Sequence, residues 1–226
     1  MIRQSSNSVR GAAPQKPIVA IVDDDEAIRE SLRSLFRSVD LEVLTFASPA
    51  DLLAKPLPPG AACIVLDVRL PGVSGLDFQD QLVRLEIRTP IIFMTGHGDI
   101  PMTVRAMKAG AIDFLAKPFR DQDMLDAVMS AIERDGRRRV EAAAQDGLKA
   151  LLETLTPRER QVMAHVVAGL MNKQIAHALG VSEITVKIHR GNVMRKMCAK
   201  SLADLVRMAE ALDLRRGREG AAQTSV

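Results

Sequence analysis

Short apolar runs alternate with helical patterns through residues 18–132. The apolar runs predict strands at Ile18–Val22, Glu42–Phe46, 63–66, 90–94 and 111–115. Apolar positions at helical spacing predict helices at 27–39, 75–85, 104–109 and from 121 to at least 132. Strands that alternate with helices are typical of an α/β domain with a doubly wound parallel sheet covered on both faces. Five such units are too few for a barrel.

The pattern after residue 156 is helical throughout. It predicts helices at 156–168, 172–179, 182–197 and 201–212, and the charge-rich, Ala-rich stretch before them reads as a helical linker. These changes of pattern divide the chain into a disordered N-terminal extension, an α/β domain, a linker, a helical domain and a frayed tail. Their predicted bounds are 1–16, 17–135, 136–151, 152–214 and 215–226.

Composition narrows the classes of function. The 226 residues include six Phe but no Trp or Tyr, which argues against an aromatic platform for stacking bases or sugars. No apolar run approaches the ~18–20 residues that span a bilayer, and residues 1–16 lack the apolar middle of a secretory signal. Two cysteines, Cys63 and Cys198, show no metal or redox spacing. We therefore expect a cytoplasmic protein with no membrane contact.

The two halves of the chain differ in charge. Residues 1–130 hold 14 Lys and Arg against 17 Asp and Glu, whereas residues 131–226 hold 17 against 11. The first half is therefore acidic, at −3, and the second basic, at +6. A basic surface commonly serves nucleic acid, so the charge suggests two separate tasks.

Polar side chains stand at the carboxyl ends of the predicted strands. Asp23 and Asp24 follow the first strand, Asp67 the third, Thr95 the fourth and Lys117 the fifth. In a doubly wound sheet these ends form the ligand crevice, so the carboxylates should converge. A hard divalent cation such as Mg²⁺ would neutralise them. Together with an ammonium and a hydroxyl group, such a site can receive a phosphoryl group.

The helical half contains the layout of a helix-turn-helix. Residues 172–179 precede a short turn at Gly180, and Ser182 is placed to cap the next helix. On that helix Val186, Val193 and Met197 share one face. The opposite face is apolar, basic and small, and it consists of Ile184, Lys187, Ile188, Gly191 and Arg195. Such a face suits the major groove of DNA, with isoleucines against thymine methyls, but a partner-protein surface stays possible.

Four motifs of the first half resemble the receiver domain of two-component response regulators. They lie at residues 21–25, 66–72, 94–98 and 116–119, in order and with consistent spacing. The resemblance covers about residues 17–135 and implies a flavodoxin-like sheet with strand order 2-1-3-4-5.

The resemblance also implies a role for each residue of the crevice. Asp67 would be the phospho-accepting residue, and Asp24, Asp67 and the backbone carbonyl of Arg69 would bind Mg²⁺, with Asp23 acting through a metal-bound water. Thr95 and Lys117 would contact the phosphoryl group, and Phe114 would be a rotating aromatic switch. Residues 101–108 and 111–115 would form the dimerisation face. Asp25 stays outside the metal site.

The helical half looks like the LuxR/NarL-type four-helix DNA-binding domain. The match rests on residues 155–160, 172–176 and 181–189, and with the receiver the whole chain resembles FixJ-type regulators. It implies phosphate contacts for Asn172 and Lys173 and a groove contact for Lys187. Gly191 departs from relatives with a basic residue there. The predicted DNA-binding set is Asn172, Lys173, Ser182, Ile184, Thr185, Lys187, Ile188, Arg190, Gly191 and Arg195.

These observations predict a transcriptional response regulator rather than an enzyme. A sensor histidine kinase would phosphorylate Asp67, and a phosphorylated homodimer would bind promoter DNA; contact with RNA polymerase is implied by the resemblance only. One alternative is a DNA-binding regulator that is independent of phosphorylation and uses its receiver for assembly. The other alternative is a small phosphoryl-handling enzyme. Such an enzyme would need a second Asp two residues after Asp67, and Arg69 stands there instead, which disfavours this alternative.

Overall fold

The first part of the chain is built around one parallel sheet. The computed structural model describes residues 16–96 and 100–212. Its strands are β1 (Ile18–Val22), β2 (Glu42–Phe46), β3 (Ala61–Asp67), β4 (Ile91–Thr95) and β5 (Asp113–Ala116). They pair in parallel in the order β2-β1-β3-β4-β5. The α/β class, the doubly wound sheet and the strand order are therefore confirmed.

Helices cover both faces of this sheet. They are α1 (Glu26–Ser38), α2 (Pro49–Ala54), α3 (Gly75–Arg84), α4 (Ile100–Lys108) and α5 (Asp121–Glu153). One core lies between the sheet and α1 and α5, where Phe36 and Met124 are buried. The other lies between the sheet and α2, α3 and α4, where Phe78 and Phe93 are buried. Alternate residues of each central strand enter opposite cores, which explains their continuous apolar runs.

Three helices differ from the sequence prediction or extend it. Helix α4 begins at Ile100, four residues before its predicted start at 104. The short helix α2 was not predicted; Pro49 occupies its first turn and Ser48 accepts a hydrogen bond from the backbone N–H of Asp51. Six residues are too few to show a helical period. Helix α5, predicted from 121 to at least 132 and followed by a helical linker, is one continuous element that ends at Glu153. Asp135, the last residue of the predicted receiver, is buried and pairs with Arg138 in the predicted linker.

The second part of the chain is helical. Its elements are α6 (Pro157–Val167), α7 (Asn172–Leu179), α8 (Glu183–Lys196) and α9 (Leu202–Ala211), with one apolar core that includes Val162, Ile175 and Val193. Helix α6 begins with a capping box between Thr156 and Glu159. Helix α7 ends at Gly180, whose φ of 65° is the left-handed conformation that glycine adopts at little cost.

The chain divides into two compact units, and the boundary along the sequence lies between Arg138 and Arg139. Residues 1–15 and 213–226 lie outside the described part, and with them almost all of the predicted N-terminal extension and the whole predicted tail. Among the described helices, none is both long and apolar enough to cross a membrane.

Candidate phosphoryl-accepting pocket and DNA-binding helices

Three carboxylates converge at the carboxyl edge of the sheet. Asp23 and Asp24 follow β1, and Asp67 is the last residue of β3, the strand beside it. One carboxylate oxygen from each lies within 4.8 Å of the others. Asp23 and Asp67 are buried, whereas Asp24 is exposed. Because β1 and β3 are adjacent and parallel, their last residues reach the same edge, as the sequence predicted.

Lys117 supplies the positive charge of this pocket. It directly follows β5, and its Nζ lies 2.7 Å from Asp23 Oδ2 and 3.2 Å from Asp67 Oδ1. Burial alone would lower the pKa of Lys117, but the hydrogen bond and charge of Asp23, together with the charge of Asp67, outweigh burial and raise it. The amine is therefore an ammonium ion that bridges two carboxylates.

Asp67 occupies a less favourable environment for a negative charge. Burial raises the pKa of its carboxyl group, and the charge of Asp23 raises it further, while Lys117 and the backbone N–H of Arg69 act in the opposite direction. Charge from a cation would relieve this repulsion. The oxygen-rich set of Asp23, Asp24 and Asp67 has the donor chemistry that a hard divalent cation prefers.

Backbone contacts fix the position of the acidic residues. The Arg29 guanidinium donates to the carbonyl oxygens of Asp23 and Asp24 at 2.7 and 2.9 Å. Asp25 caps α1 by accepting from the N–H groups of Ala27 and Ile28. Its own N–H donates to Asp23 Oδ1 at 2.9 Å. Asp25 is therefore occupied by helix capping, which agrees with its exclusion from the acidic cluster.

The turn after β3 depends on a glycine. The N–H of Gly75 donates to the carbonyl oxygen of Val68 at 2.9 Å, and Gly75 starts α3. A Cβ atom at this position would lie 2.4 Å from the carbonyl oxygen of Asp67 and 3.0 Å from Val68 Cα. Gly75 and Arg29 were not singled out in the sequence, because their contacts join different elements and leave no pattern in a single sequence.

Thr95 and Phe114 lie beside the pocket on neighbouring strands. Thr95 is the buried last residue of β4 and is in register with Ala116. Phe93 and Phe114 are in register two residues earlier, with ring centroids 6.2 Å apart. Because side chains alternate along a strand, Phe93, Phe114 and Thr95 point to the same face of the sheet. The structure thus brings the predicted switch residues together.

An open depression of about 500 Å³ adjoins the acidic cluster. Asp24, Arg69, Gly72 and Met102 are among its lining residues. Arg69 is exposed in the loop between β3 and α3. The arrangement can therefore receive a small anionic group from solvent next to the buried carboxylate of Asp67.

The predicted recognition helix, α8, has one buried face and one exposed face. Val186, Val193 and Met197 are buried against α6 and α7. Ile184 and Ile188 are 74% and 59% exposed, an unusual position for large apolar side chains. Lys187, Gly191 and Arg195 are exposed as well. A Cβ atom at Gly191 would meet nothing within 4 Å, so this part of the helix surface is open.

The remaining predicted DNA-binding residues surround the start of α7 and α8. Lys173 is exposed in the first turn of α7. Arg190 donates to Asn172 Oδ1 at 2.7 Å, which ties α8 to the start of α7. Ser182 accepts from the N–H of Thr185 at 3.1 Å, and their hydroxyl oxygens lie 2.8 Å apart. Arg190 thus also joins α8 to α7, while Ser182 and Thr185 fix the first turn of α8.

A partly buried ion pair stabilises the helical unit. Lys196 Nζ lies 2.7 Å from Glu159 Oε2, and the Glu159 side chain is 5% exposed. The same carboxylate accepts from the N–H of Thr156 at 2.9 Å. The hydrogen bond from Lys196 and the one from Thr156 lower the pKa of Glu159. This residue was not singled out in the sequence, although the Thr156-x-x-Glu159 spacing is that of a capping box.

Comparison with known proteins identifies both parts of the chain. Residues 19–129 match the response regulator receiver domain, and residues 153–209 match the luxR family of bacterial regulatory proteins. Nodulation protein W of Bradyrhizobium diazoefficiens is 60% identical over 89% of each chain. The transcriptional regulatory protein FixJ of Rhizobium meliloti is 45% identical over 85% of this chain and 95% of its own.

A solved structure agrees with these relatives. The response regulator StyR is similar with a TM-score of 0.79 and 50% identity, over 87% of this chain and 99% of its own. The resemblance inferred from the sequence motifs is confirmed. The chain therefore belongs to the response regulators that join a receiver domain to a LuxR-type DNA-binding domain.

Proposed function

We propose that this protein regulates transcription after phosphotransfer from a sensor histidine kinase to Asp67. Phosphorylation promotes dimerisation of the receiver, and the dimer binds promoter DNA. The observation that carries this proposal is the convergence of three carboxylates and one ammonium group at the carboxyl edge of the sheet. The match of residues 153–209 to the luxR family of regulatory proteins supports DNA binding as the function of the second unit.

In the proposed chemistry Asp67 is the nucleophile. A carboxylate oxygen of Asp67 forms a bond to phosphorus while the P–N bond to the kinase histidine breaks, and the electron pair returns to the imidazole nitrogen. Lys117 and the hydroxyl group of Thr95 stabilise the charge on the equatorial oxygens. Asp23 holds Lys117 in place through the shorter of its two ion pairs. The protein itself is a phosphate acceptor rather than an enzyme with other substrates.

We further propose that Asp23, Asp24, Asp67 and the backbone carbonyl of Arg69 hold Mg²⁺, with Asp23 acting through water. The fit rests on the oxygen-only donor set and on the raised pKa of Asp67, which burial and then the nearby charge of Asp23 cause. When bound, the cation would supply positive charge that reduces the repulsion between the three carboxylates and an incoming phosphoryl group.

On the output side, we propose that α8 enters the major groove. Ile184 and Ile188 contact thymine methyl groups, Lys187 contacts a base edge, and Gly191 allows close approach. Lys173 and Asn172 contact phosphates, with Ser182, Thr185, Arg190 and Arg195 completing the surface. We propose domain bounds of 17–135 and 152–214 with a linker at 136–151, and a cytoplasmic location, which the family resemblance implies.

Labelling with a small phosphodonor tests the acceptor. Incubation of the full chain with acetyl phosphate and Mg²⁺ should phosphorylate Asp67, and intact-protein mass spectrometry should detect the added group. Asp67→Asn should abolish the label, because an amide oxygen is a poor nucleophile. Chelation of Mg²⁺ should also abolish it, since the carboxylates then repel the incoming anion.

Asp25→Asn is the matched control for this experiment. It removes the same charge close to the pocket, and Asn still caps a helix, so labelling should persist. Undiminished labelling of Asp67→Asn would move the acceptor to another residue. Full DNA binding without any phosphodonor, unaffected by Asp67→Asn, would instead favour the phosphorylation-independent regulator.

A further inference from the structure

Arg29, the fourth residue of α1, joins this helix to the acidic residues that follow β1. Its side chain is half-buried. A single guanidinium nitrogen, Nη1, donates to the carbonyl oxygen of Asp23 at 2.7 Å and to that of Asp24 at 2.9 Å. One helical side chain thus binds the backbone of two consecutive members of the acidic cluster.

The two carbonyl groups lie beyond the paired part of the sheet. The register of β1 with its neighbours ends at Val22. Among the described residues, no backbone N–H donates to the carbonyl oxygen of Asp23 or of Asp24. Peptide carbonyl groups are strong acceptors, so Arg29 takes the place that a neighbouring strand holds within the sheet.

Asp24 is the member of the cluster on which this contact acts most directly. The carboxylates of Asp23 and Asp67 both contact Lys117, whereas Asp24 is exposed. The Asp23 carbonyl belongs to the peptide unit before the Asp24 Cα atom, and the Asp24 carbonyl belongs to the unit after it. Arg29 therefore restrains both backbone torsion angles of Asp24. The direction of its Cα–Cβ bond is fixed with them.

The charge and the contacts of Arg29 have opposite consequences for a bound cation. A guanidinium group stays positive at every pH at which the protein is folded, so its charge alone would repel a divalent cation. The restraint on Asp24 acts the other way, because a ligand that is already oriented loses less freedom when the metal binds. Solvent at the exposed Asp24 screens the repulsion. The restraint is therefore the larger effect.

We infer that Arg29 is a positioning residue for the divalent cation, which orients the Asp24 carboxylate through two backbone carbonyl groups and so raises the affinity of the acidic cluster for Mg²⁺. The inference rests on the proposed metal site at Asp23, Asp24 and Asp67. Arg29 supplies no ligand atom of its own, because a guanidinium group has donors and no acceptor.

Titration of the full chain with Mn²⁺ tests this inference. Mn²⁺ prefers the same oxygen ligands as Mg²⁺, and its electron paramagnetic resonance signal measures the free ion directly. Arg29→Met keeps an apolar side chain of similar length but removes the charge and the donors. It should bind Mn²⁺ about tenfold more weakly, the lower end of what the loss of an outer partner costs a metal site. Excess Mg²⁺ should displace the probe.

The sign of the change separates the restraint from the charge. If only the charge of Arg29 mattered, Arg29→Met would bind Mn²⁺ more tightly than the wild type. Arg33→Met is the matched control, because Arg33 lies one turn later on α1 and contacts Glu30 and Thr45 instead of the acidic cluster. It should bind Mn²⁺ like the wild type. Unchanged or tighter binding by Arg29→Met would overturn the inference.

Arg29→Lys keeps the charge on a side chain that is one bond shorter. Its ammonium group can reach one carbonyl oxygen less well than the guanidinium reaches two, so we expect about threefold weaker Mn²⁺ binding than in the wild type. If Arg29→Met does not fold, wild-type affinity in Arg29→Lys would overturn the inference instead.

Phospho-labelling provides a second readout. The Mg²⁺ concentration that half-saturates labelling of Asp67 should rise about tenfold in Arg29→Met, while the rate at saturating Mg²⁺ stays within about twofold. Equal losses at low and saturating Mg²⁺ would point to general damage of the pocket and would contradict a positioning role. Absence of Mn²⁺ binding by the wild type would be a different failure, because it would overturn the proposed metal site itself.

Discussion

Lys117 makes two ion pairs of unequal length, and the difference bears on the chemistry of Asp67. The ammonium group lies closer to Asp23 than to Asp67, and the Asp23 side chain is 1% exposed. Coulomb attraction increases as distance and local dielectric fall, so Asp23 is the stronger partner. Lys117 is thus held mainly by Asp23, which is not the proposed nucleophile. Asp67 keeps the weaker pair and stays available.

Gly75→Ala should displace the backbone of Asp67 and so disturb the acidic pocket. The added Cβ atom would meet two backbone atoms, Asp67 O and Val68 Cα, neither of which can rotate away. We expect a loss of about 1–3 kcal/mol in the free energy of unfolding and slower phospho-labelling of Asp67. Circular dichroism melting and the labelling rate measure the two effects.

Gly136→Ala is the control for this substitution. A Cβ atom at Gly136 would meet nothing within 4 Å, and alanine is favoured over glycine inside a helix such as α5. It should leave labelling unchanged and raise stability slightly. A Gly75→Ala protein with the melting temperature and labelling rate of the wild type would contradict this expectation, because the backbone after β3 would then accommodate a Cβ atom without cost.

Glu159→Gln should reduce the stability of the helical unit and its dependence on pH. The pKa of Glu159 is lowered in the folded state, so its stabilising contribution is present above the ordinary value of 4.5 and is lost as pH falls through the folded value. Glutamine can keep the hydrogen bond to Thr156 but not the ion pair with Lys196. We expect a loss of about 1–2 kcal/mol at pH 7 and a flatter profile below pH 4.5.

Urea denaturation followed by circular dichroism measures this effect, since the chain has no Trp or Tyr to report by fluorescence. Lys196→Gln should produce the same flattening, because it removes the other half of the pair. Glu183→Gln, an exposed change in the first turn of α8, serves as the control. If the free energy of unfolding of Glu159→Gln falls with decreasing pH as it does in the wild type, other carboxyl groups govern acid unfolding.

At the scale of single elements, α8 combines two faces of different chemistry. Its buried valines pack into the helical core, while Ile184 and Ile188 are exposed next to Lys187. Exposed branched apolar side chains increase the apolar surface in water and bring no packing in return. Contact with the thymine methyl groups of DNA would remove that surface from water.

Lys173→Ala and Lys187→Ala should weaken DNA binding in different ways. Loss of one phosphate contact at Lys173 should lower affinity about equally on all sequences and reduce the salt slope by roughly one unit. Loss of a base contact at Lys187 should cost about 1–3 kcal/mol on the specific site and less on random DNA. Fluorescence anisotropy with fragments selected by the phosphorylated protein, at several salt concentrations, measures both.

Lys149→Ala is the control for these two variants. Lys149 lies near the end of α5, where it pairs with Asp146, and it belongs to no predicted DNA contact. Its removal should change the salt slope little. Equal losses for Lys187→Ala on specific and random DNA would assign Lys187 to the backbone instead of the bases.

The sequence predicted those elements whose pattern is local and long enough. The buried strands, the four short helices of the DNA-binding unit and the convergence of Asp23 with Asp67 all follow from periodicity and strand order. Helix α2 was missed because six residues carry too little pattern. The single span of α5 was not predicted, because the charge-rich, Ala-rich stretch was read as a separate helical linker. Gly75 could not be found, since the close contacts that require glycine are with the backbone of another segment.

At the scale of the whole molecule, an acidic receiver is joined to a basic helical unit. The receiver presents exposed apolar side chains on α4, with Ile100, Val104 and Met107 at 80%, 44% and 44% exposure. Arg105 on the same helix pairs with Asp77 and Asp80 of α3. A surface with this composition suits association with a second copy when α4 is released or shifted. The predicted dimerisation face, residues 101–108 and 111–115, includes most of it.

We therefore expect a monomer before phosphorylation and a dimer once Asp67 carries phosphate or a beryllofluoride mimic. Thr95 would turn its hydroxyl group toward the new oxygens, and Phe114 would fill the vacated space and alter the α4–β5 surface. A shift from 1:99 to 99:1 needs about 5.5 kcal/mol of differential binding. Sedimentation velocity at micromolar concentration, with and without the mimic, measures the change.

Thr95→Ala separates phosphorylation from dimerisation. It should still accept phosphate at Asp67 but dimerise poorly, while Thr95→Ser, which keeps the hydroxyl group, should dimerise. A mass that stays constant on addition of the mimic would break the link between the pocket and the dimerisation face. Full dimerisation of Thr95→Ala would show that the hydroxyl group of Thr95 is not needed to couple phosphorylation to dimerisation.

Gly75 also restricts how the gene for this protein can change. Every amino-acid replacement that lies one base away from a glycine codon introduces a Cβ atom. The smallest of them, alanine, already brings that atom to within 2.4 Å of the Asp67 carbonyl oxygen. No replacement of intermediate size exists, so this position cannot drift by small steps. Any lineage that loses Gly75 must first move the backbone that supports Asp67, the proposed phosphate acceptor.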